Sequence, residues 1–137
     1  MIKLILISHG SLAAGMREAA EMILGEQEDM EVFGLFPGDT LESFSDKIER
    51  MILQYHDETN TLILSDLPCG TPSNAASMMV LKHGIHALSG CNLPLLVEVL
   101  STREDASIEM VMTEAVKEGK AGIISAEELL TERQGGK

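Results

Sequence analysis

Hydrophobic and polar positions along this chain switch repeatedly between a strand period and a helix period. Ile2–Ile7 is apolar throughout except for Lys3, the pattern of a strand buried on both faces. Leu12, Met16, Ala19 and Ile23 then recur on one helical face, and Gly25 supplies a stop. Met30–Phe36 predicts a second strand, ended by Pro37-Gly38. Asp39 and Glu42 have capping-box spacing and open a helix whose apolar face carries Leu41, Phe44, Ile48, Met51 and Tyr55. Thr61–Ser65 predicts a third strand. Thr71-Pro72 then reads as an N-cap followed by proline at the first helical position, which places a helix over Ser73–His83. Ile85–Ser89 predicts a short fourth strand. Helices follow over Pro94–Arg103 and Ser107–Glu118, the second stopped by Gly119. Ala121–Ser125 suits a last strand, and Thr131–Lys137 reads as a polar tail. One domain over residues 1–130 with a tail over 131–137 is the expected organisation.

Strand–helix alternation with apolar strands implies an α/β fold around a mostly parallel sheet. Right-handed crossovers and short connections favour an open, doubly wound sheet. Five strands are too few for an eightfold barrel. A flavodoxin-like strand order 2-1-3-4 is therefore expected, with the first and third strands adjacent. Ligands of such sheets bind outside the carboxyl ends of the strands, where the winding reverses. That crevice unites the loop Ser8-His9-Gly10-Ser11 with the loop running from Asp66 to Ser73, and so brings His9 to Asp66.

A carboxylate on one imidazole nitrogen fixes the tautomer and leaves the other nitrogen a better nucleophile. Both loops also run straight into helices. Their N-termini, after Gly10-Ser11 and at Thr71-Pro72-Ser73, present backbone N–H groups to an anion, with the hydroxyls of Ser11, Thr71 and Ser73 as further donors. Neither loop contains Lys or Arg, and helix termini contribute only ~0.3–1 kcal/mol each at exposed sites. Such a cradle holds a phosphoryl group without trapping it, which suits a group carried on histidine. The same placement also allows His9 simply to cap a helix or bond a neighbouring loop.

Composition narrows the field of partners. The chain has 137 residues and is 45% apolar, enough for one buried core. Its formal charge of −12, from 22 acidic and 10 basic residues, disfavours nucleic acid and anionic membranes. Three Phe, one Tyr and no Trp leave no stacking platform for bases. No apolar run reaches the roughly 18 residues of a membrane span, and no signal-peptide pattern follows Met1. Cys69 and Cys91 form no metal-binding or disulfide pattern, which fits free thiols in the cytoplasm.

Other reactive side chains read as structural. Cys69 lies in the right loop, but a cysteine phosphatase needs an arginine a few residues on, and none is there; a small semi-buried residue is the expectation. His56 and His83 sit near predicted helix C-termini, where positive charge is favourable. His86 reads as a packing or edge residue in a short strand, and Met78-Met79 as core filler. No metal site and no cofactor is expected.

Taken together, "LILISHGSLAAGMREAAEMILGEQ", "FPGDT", "LILSDLPCGTPSNAAS" and "SGCNLPLLVEVL" resemble the IIA domain of the mannose family of the bacterial phosphotransferase system, from about Met1 to Ser125. The resemblance implies that His9 accepts a phosphoryl group from the phosphocarrier HPr and passes it to a IIB component, for coupled sugar uptake and phosphorylation. It assigns Asp66 as the carboxylate that orients His9. It places Thr71, within Gly70-Thr71-Pro72, beside the phosphoryl group, and Phe36 at the pocket wall. It further implies a homodimer with an exchanged C-terminal strand, for which Ala121–Ser125 is the candidate. A separate IIB chain is expected, since this one stops at "TERQGGK", together with a cytoplasmic location, transient association with a membrane transporter through IIB, and no membrane insertion. Leu67, Pro68 and Cys69 depart from the aromatic-containing loop of some members, which bears on partner or sugar specificity.

Rival readings are distinguishable. The phosphotransfer subunit of dihydroxyacetone kinase shares the strand–histidine start, yet "CGTPSNAAS" and "NLPLLVEVL" fit the sugar-transport branch better. A cobalt-type tetrapyrrole chelatase needs further ligands converging on a metal, and only His83 and His86 are candidates. A signalling receiver domain needs carboxylates after its first strand to hold Mg²⁺, and Ser-His-Gly-Ser has none. A catalytically silent binding module would tolerate loss of His9.

Overall fold

The structure is a computed structural model that describes residues 1–55 and 60–135. Four parallel strands, β1 (Lys3–His9), β2 (Met30–Leu35), β3 (Thr61–Ser65) and β4 (His86–Ser89), form one sheet in the order β2-β1-β3-β4. The predicted doubly wound arrangement is therefore present, with the winding reversing between β1 and β3. Six helices are described: α1 (Leu12–Leu24), α2 (Leu41–Tyr55), α3 (Thr71–His83), α4 (Leu93–Thr102), α5 (Ile108–Ala121) and α6 (Ala126–Gly135).

The period-2 alternation of the central strands sorts residues by shape. Leu4, Leu6, Leu62 and Leu64 face α1, α4 and α5, where Ala20, Leu96, Val99 and Val111 complete one core. Ile5, Ile7 and Ile63 face α2 and α3, against Phe44, Ile48, Ile52, Ala76 and Met79. Each such buried side chain is worth ~1.5–3 kcal/mol, so an unbroken apolar run is what a strand covered on both faces requires. Thr61, Ser8 and Ser65 are the buried polar residues of β1 and β3, and the two serines sit at the carboxyl ends. Outside the core, Glu49 of α2 accepts hydrogen bonds from Lys82 Nζ (2.7 Å) and His83 Nε2 (2.6 Å) of α3. Those two bonds, Lys82 first, hold the Glu49 carboxyl below its ordinary pKa. His83 thus has the structural role expected of it, whereas His56 lies outside the described residues.

Several boundaries differ from expectation for local reasons. β1 continues through His9, which pairs with Leu35 of β2. The cap of α2 is not the Asp39–Glu42 pair. Thr40 and Ser43 exchange side-chain and backbone hydrogen bonds (2.9 and 3.0 Å), while Asp39 accepts the Phe36 N–H at 2.8 Å to close the turn before it. The N-cap of α3 is Gly70, at φ +92°, which moves Thr71 into the helix as its first residue. Gly119 does not stop α5. A Cβ there would lie 3.1 Å from Leu95 Cβ, so this glycine permits close packing of α4 on α5, and the helix runs on to Ala121.

The expected last strand over Ala121–Ser125 is absent from the chain. Ala121 is helical, Gly122 closes α5 by donating to the Glu118 carbonyl at 2.9 Å, and Ser125 Oγ accepts the Glu128 N–H at 3.1 Å as the cap of α6. Residues 131–135, expected as tail, continue α6, an exposed polar helix with no buried residue. None of the described helices is long and apolar enough to cross a membrane.

Candidate functional site

The site stands where β1 and β3 end side by side. His9 is the last residue of β1, and its side chain is 48% exposed. Its Nδ1 lies 2.9 Å from Asp66 Oδ2, and its backbone N–H donates to the same oxygen at 2.9 Å. The other carboxylate oxygen, Oδ1, accepts the Leu67 N–H at 2.9 Å. Asp66 is only 7% exposed. An ionised carboxylate can only accept, so Nδ1 of a neutral His9 carries the hydrogen and Nε2 keeps its lone pair, turned away from Asp66.

Electrostatics agree with this assignment. Burial works to raise the Asp66 pKa, but the hydrogen bonds from the His9 N–H and imidazole, with the field of a charged His9, outweigh it and hold the carboxyl below its ordinary value. A group whose pKa is depressed by folding stabilises the fold above its unfolded value, ~3.9 for aspartate, and that contribution is lost as pH falls through the folded value. Unfolding free energies of wild type and Asp66→Asn, measured from pH 7 downward, are therefore expected to converge in acid. A gap that stays constant down to pH 2 would contradict the assignment.

Glycines and hydroxyls set the surroundings. Gly10, at φ +55°, donates to the Leu35 carbonyl at 2.8 Å and so lays the turn after His9 across β2. Its own carbonyl then passes over Gly34. A Cβ on Gly34 would stand 2.2 Å from the Gly10 oxygen and 2.8 Å from Phe36 Cε2. Gly34→Ala is expected to cost about 1–3 kcal/mol of stability by overpacking and to displace either His9-Gly10 or the Phe36 ring. Thermal unfolding and the His9 ring signal by NMR would report both effects. On the opposite side, a Cβ on Gly70 would come within 3.2 Å of both Cε1 and Nε2 of His9, so this backbone borders the free nitrogen.

The two helix N-termini differ in how one donor is removed. Ser8 Oγ accepts the Ala13 N–H at 2.7 Å, which occupies a first-turn donor of α1. In α3, Thr71 and Ser73 occupy first-turn positions whose N–H groups have no carbonyl partner within the helix, and Pro72 has none to offer. Two first-turn N–H groups are left without a carbonyl partner at each end, those of Leu12 and Ala14 in α1 and those of Thr71 and Ser73 in α3. Ser11 is exposed and its side chain makes no cap hydrogen bond. Thr71 is half-buried, and Phe36 is 51% exposed at the turn beside Gly34. The Ser73 hydroxyl does not line the crevice as expected. It is turned inward to Ser89 Oγ, 3.3 Å away, and only its backbone remains available.

The remaining reactive groups lie apart or differ from expectation. Cys69 is exposed rather than semi-buried, and both cysteines are free thiols. Cys91, beneath Asp66, has its thiol pushed up to about 12 by burial first and by the nearby carboxylate second. His86 opens β4 at the level of Leu62, which pairs with Leu4, so it sits two strands across from His9 and five residues short of it, about 16 Å back along the strand direction alone. Among the described residues, no three His, Cys, Asp or Glu side chains converge as a metal-ligand set. Met79 is core as expected, but Met78 is exposed. It lines an open groove between α2 and α3 that includes none of the site residues. Pattern reading missed Gly34, Ser8, Ser65 and Ser89. A glycine inside the strand run "MEVFGL" was the available sign of close backbone approach.

Comparison with known proteins gives concordant results. The family model EIIA-man, described as "PTS system fructose IIA component", matches residues 3–116. The chain is 33% identical over 124 residues to the mannose-specific EIIAB component of the phosphotransferase system (PTS) of Escherichia coli K12, covering 89% of this chain but 38% of that protein. It is 33% identical over 117 residues to the sorbose-specific EIIA component of Lacticaseibacillus casei, covering 85% of this chain and 84% of that one. Among solved structures, the phosphotransferase system component EIIA of Streptococcus agalactiae superposes with a TM-score of 0.85 at 27% identity, over 91% of this chain and 97% of that one. The mannose/sorbose-specific IIA subunit of Enterococcus faecalis gives 0.82 at 27% identity, over 90% and 93%.

Proposed function

The chain belongs to the EIIA-man family, the mannose-family IIA components of the phosphotransferase system, and on that premise we propose that it is a phosphocarrier whose His9 Nε2 receives a phosphoryl group from phospho-HPr and delivers it to a IIB component. The observation that carries the reading is the His9 Nδ1–Asp66 Oδ2 hydrogen bond at 2.9 Å, on an imidazole half open to solvent. In the accepting step, the P–N bond to the donor histidine of HPr breaks as the Nε2 lone pair bonds to phosphorus, and the electron pair returns to the donor ring. Delivery to IIB reverses those roles. Asp66 retains the Nδ1 proton interaction throughout and offsets the positive charge that develops on the ring.

The phosphoryl oxygens would meet the Thr71 and Ser73 N–H groups and the Thr71 hydroxyl at the start of α3, with Gly70 admitting them to the edge of His9. Gly10, Ser11 and Phe36 form the other wall. With no Lys or Arg in either loop, the group is held by dipoles rather than full charges. That suits a relay whose cargo must leave again. A homodimer is part of the same reading, supported by the open edge of β4 and by Ile123, 81% exposed just before α6.

The test is incubation with phosphoenolpyruvate, enzyme I and HPr, followed by intact-mass measurement. One acid-labile phosphoryl adduct per chain, discharged on adding a IIB component, is the expected result. An unmodified chain beside fully phosphorylated HPr would overturn the reading.

A further inference from the structure

We propose that Ser89, on the edge strand β4, is a positioning residue for the His9–Asp66 pair. The loop 66–70 carries Asp66 at one end and Gly70 at the other, and both touch or border the His9 ring. Hydroxyls flank that loop. Ser65, immediately before Asp66, is fully buried and donates to Ser89 Oγ at 2.8 Å. Ser73, in the first turn of α3 beyond Gly70, is 7% exposed, with its Oγ 3.3 Å from the same Ser89 oxygen. Donation from Ser65 leaves the Ser89 proton free for Ser73, so each contact has a hydrogen available.

Register explains why the three meet. Ser65 and Ser89 are paired across β3 and β4, which puts their side chains on one face, and that face is the one α3 covers. Ser65 Oγ also lies 3.4 Å from the Leu67 carbonyl, inside the loop itself. One hydroxyl on β4 therefore ties the strand that launches Asp66 to the helix that receives Gly70. Without it, Ser73 loses its hydroxyl partner, Ser65 keeps only the longer contact to the Leu67 carbonyl, and the span between them loses its common anchor. The residue touches neither His9 nor a phosphoryl group, so it acts through Asp66 and Gly70.

The kinetic consequence rests on the phosphocarrier reading; the structural one does not. The experiment compares wild type, Ser89→Ala, Ser89→Thr and the Ser73→Ala, Ser89→Ala double variant by ¹⁵N NMR of the His9 imidazole, alongside the initial rate of phosphorylation by phospho-HPr. Spectra are recorded at a pH where the ring is neutral, and wild type is then expected to carry its hydrogen on Nδ1. Ser89→Ala is expected to mix the two tautomers and to slow phosphorylation roughly 10-fold, as small misplacements of reacting groups do. Ser89→Thr, which keeps the hydroxyl, restores both. Ser73→Ala combined with Ser89→Ala is no worse than Ser89→Ala alone, because both break one network. A Ser89→Ala ring signal identical to wild type overturns the proposal, whatever the rate does. Failure of wild type to accept phosphoryl groups would instead strike the functional reading, leaving the tautomer comparison to decide this one.

Discussion

His9→Ala is expected to abolish phosphoryl acceptance outright, with no adduct detectable by intact mass after exhaustive incubation with phosphorylated HPr. Most catalytic substitutions slow a step, whereas this one removes the atom to which the new bond is made. No neighbour can substitute. The crevice loops contain no second histidine, and Cys69, though exposed, has no contact that places it on the phosphoryl path. The fold should barely register the change. The His9 side chain is half exposed, and Asp66 keeps the backbone N–H groups of residue 9 and Leu67 after the imidazole is gone. A stability loss of about 1 kcal/mol or less is expected, in the range of exposed ion pairs. Equal unfolding midpoints with a lost adduct would separate chemistry from structure. A phosphorylated alanine variant would show that another residue carries the group.

Arg103→Met should do the reverse, leaving the site chemistry intact in whatever remains folded while removing much of the stability. Arg103 follows α4 and is 2% exposed. Its guanidinium donates to the carbonyls of Ile2 (3.2 Å), Asp29 (3.2 Å) and Glu28 (2.6 Å), and to Gln27 Oε1 (3.1 Å). It therefore binds the entry of β1, the turn before β2 and the end of α4 together. That turn includes Asp29 at φ +51°, a left-handed conformation that aspartate tolerates better than most non-glycine residues. Burial draws the guanidinium pKa below its ordinary value despite the fields of Asp29 and Glu104, a sign of how completely this cation is desolvated.

Methionine fills the space but takes the guanidinium donors from the Ile2 and Glu28 carbonyls and from that of Asp29, which keeps only the Leu4 N–H at 2.9 Å. Leaving a buried polar group without its partner costs about 1–3 kcal/mol, against a total of about 5–15 kcal/mol for a domain. Lysine recovers only part, since a single ammonium cannot reproduce the planar fork. Denaturant titration checks this. A falling midpoint with an unchanged slope is expected, and a loss below about 1 kcal/mol would show that water takes over the carbonyls.

The strands and the crevice were legible in sequence because they rest on features a linear pattern expresses. The two central strands write themselves as nearly unbroken apolar runs, the edge strands as shorter mixed segments between turn residues, and the winding rule converts the four into a location. His9 and Asp66 follow from that rule without any knowledge of distance. Gly34, Ser65 and Ser89 were not legible, because their roles depend on which residue lies opposite them in a neighbouring strand, and register is not written in any one segment. Gly119 misled for a related reason. A helix-stopping glycine and a helix-packing glycine look alike until the partner, here Leu95, is known. Arg103 was invisible because its acceptors are carbonyls, which every residue has.

The central placement of β1 also bears on how the protein is made. This strand is synthesised first, yet its carboxyl end is completed only by β3, and His9 waits 57 residues for Asp66. At about 5–20 residues per second, that interval on the ribosome is roughly 3–10 s. During it the nascent chain holds an imidazole without the carboxylate that fixes its tautomer and without the start of α3 beside it. On the phosphocarrier reading, the chain becomes a competent acceptor only once β3 has docked beside β1 and brought Asp66 to His9.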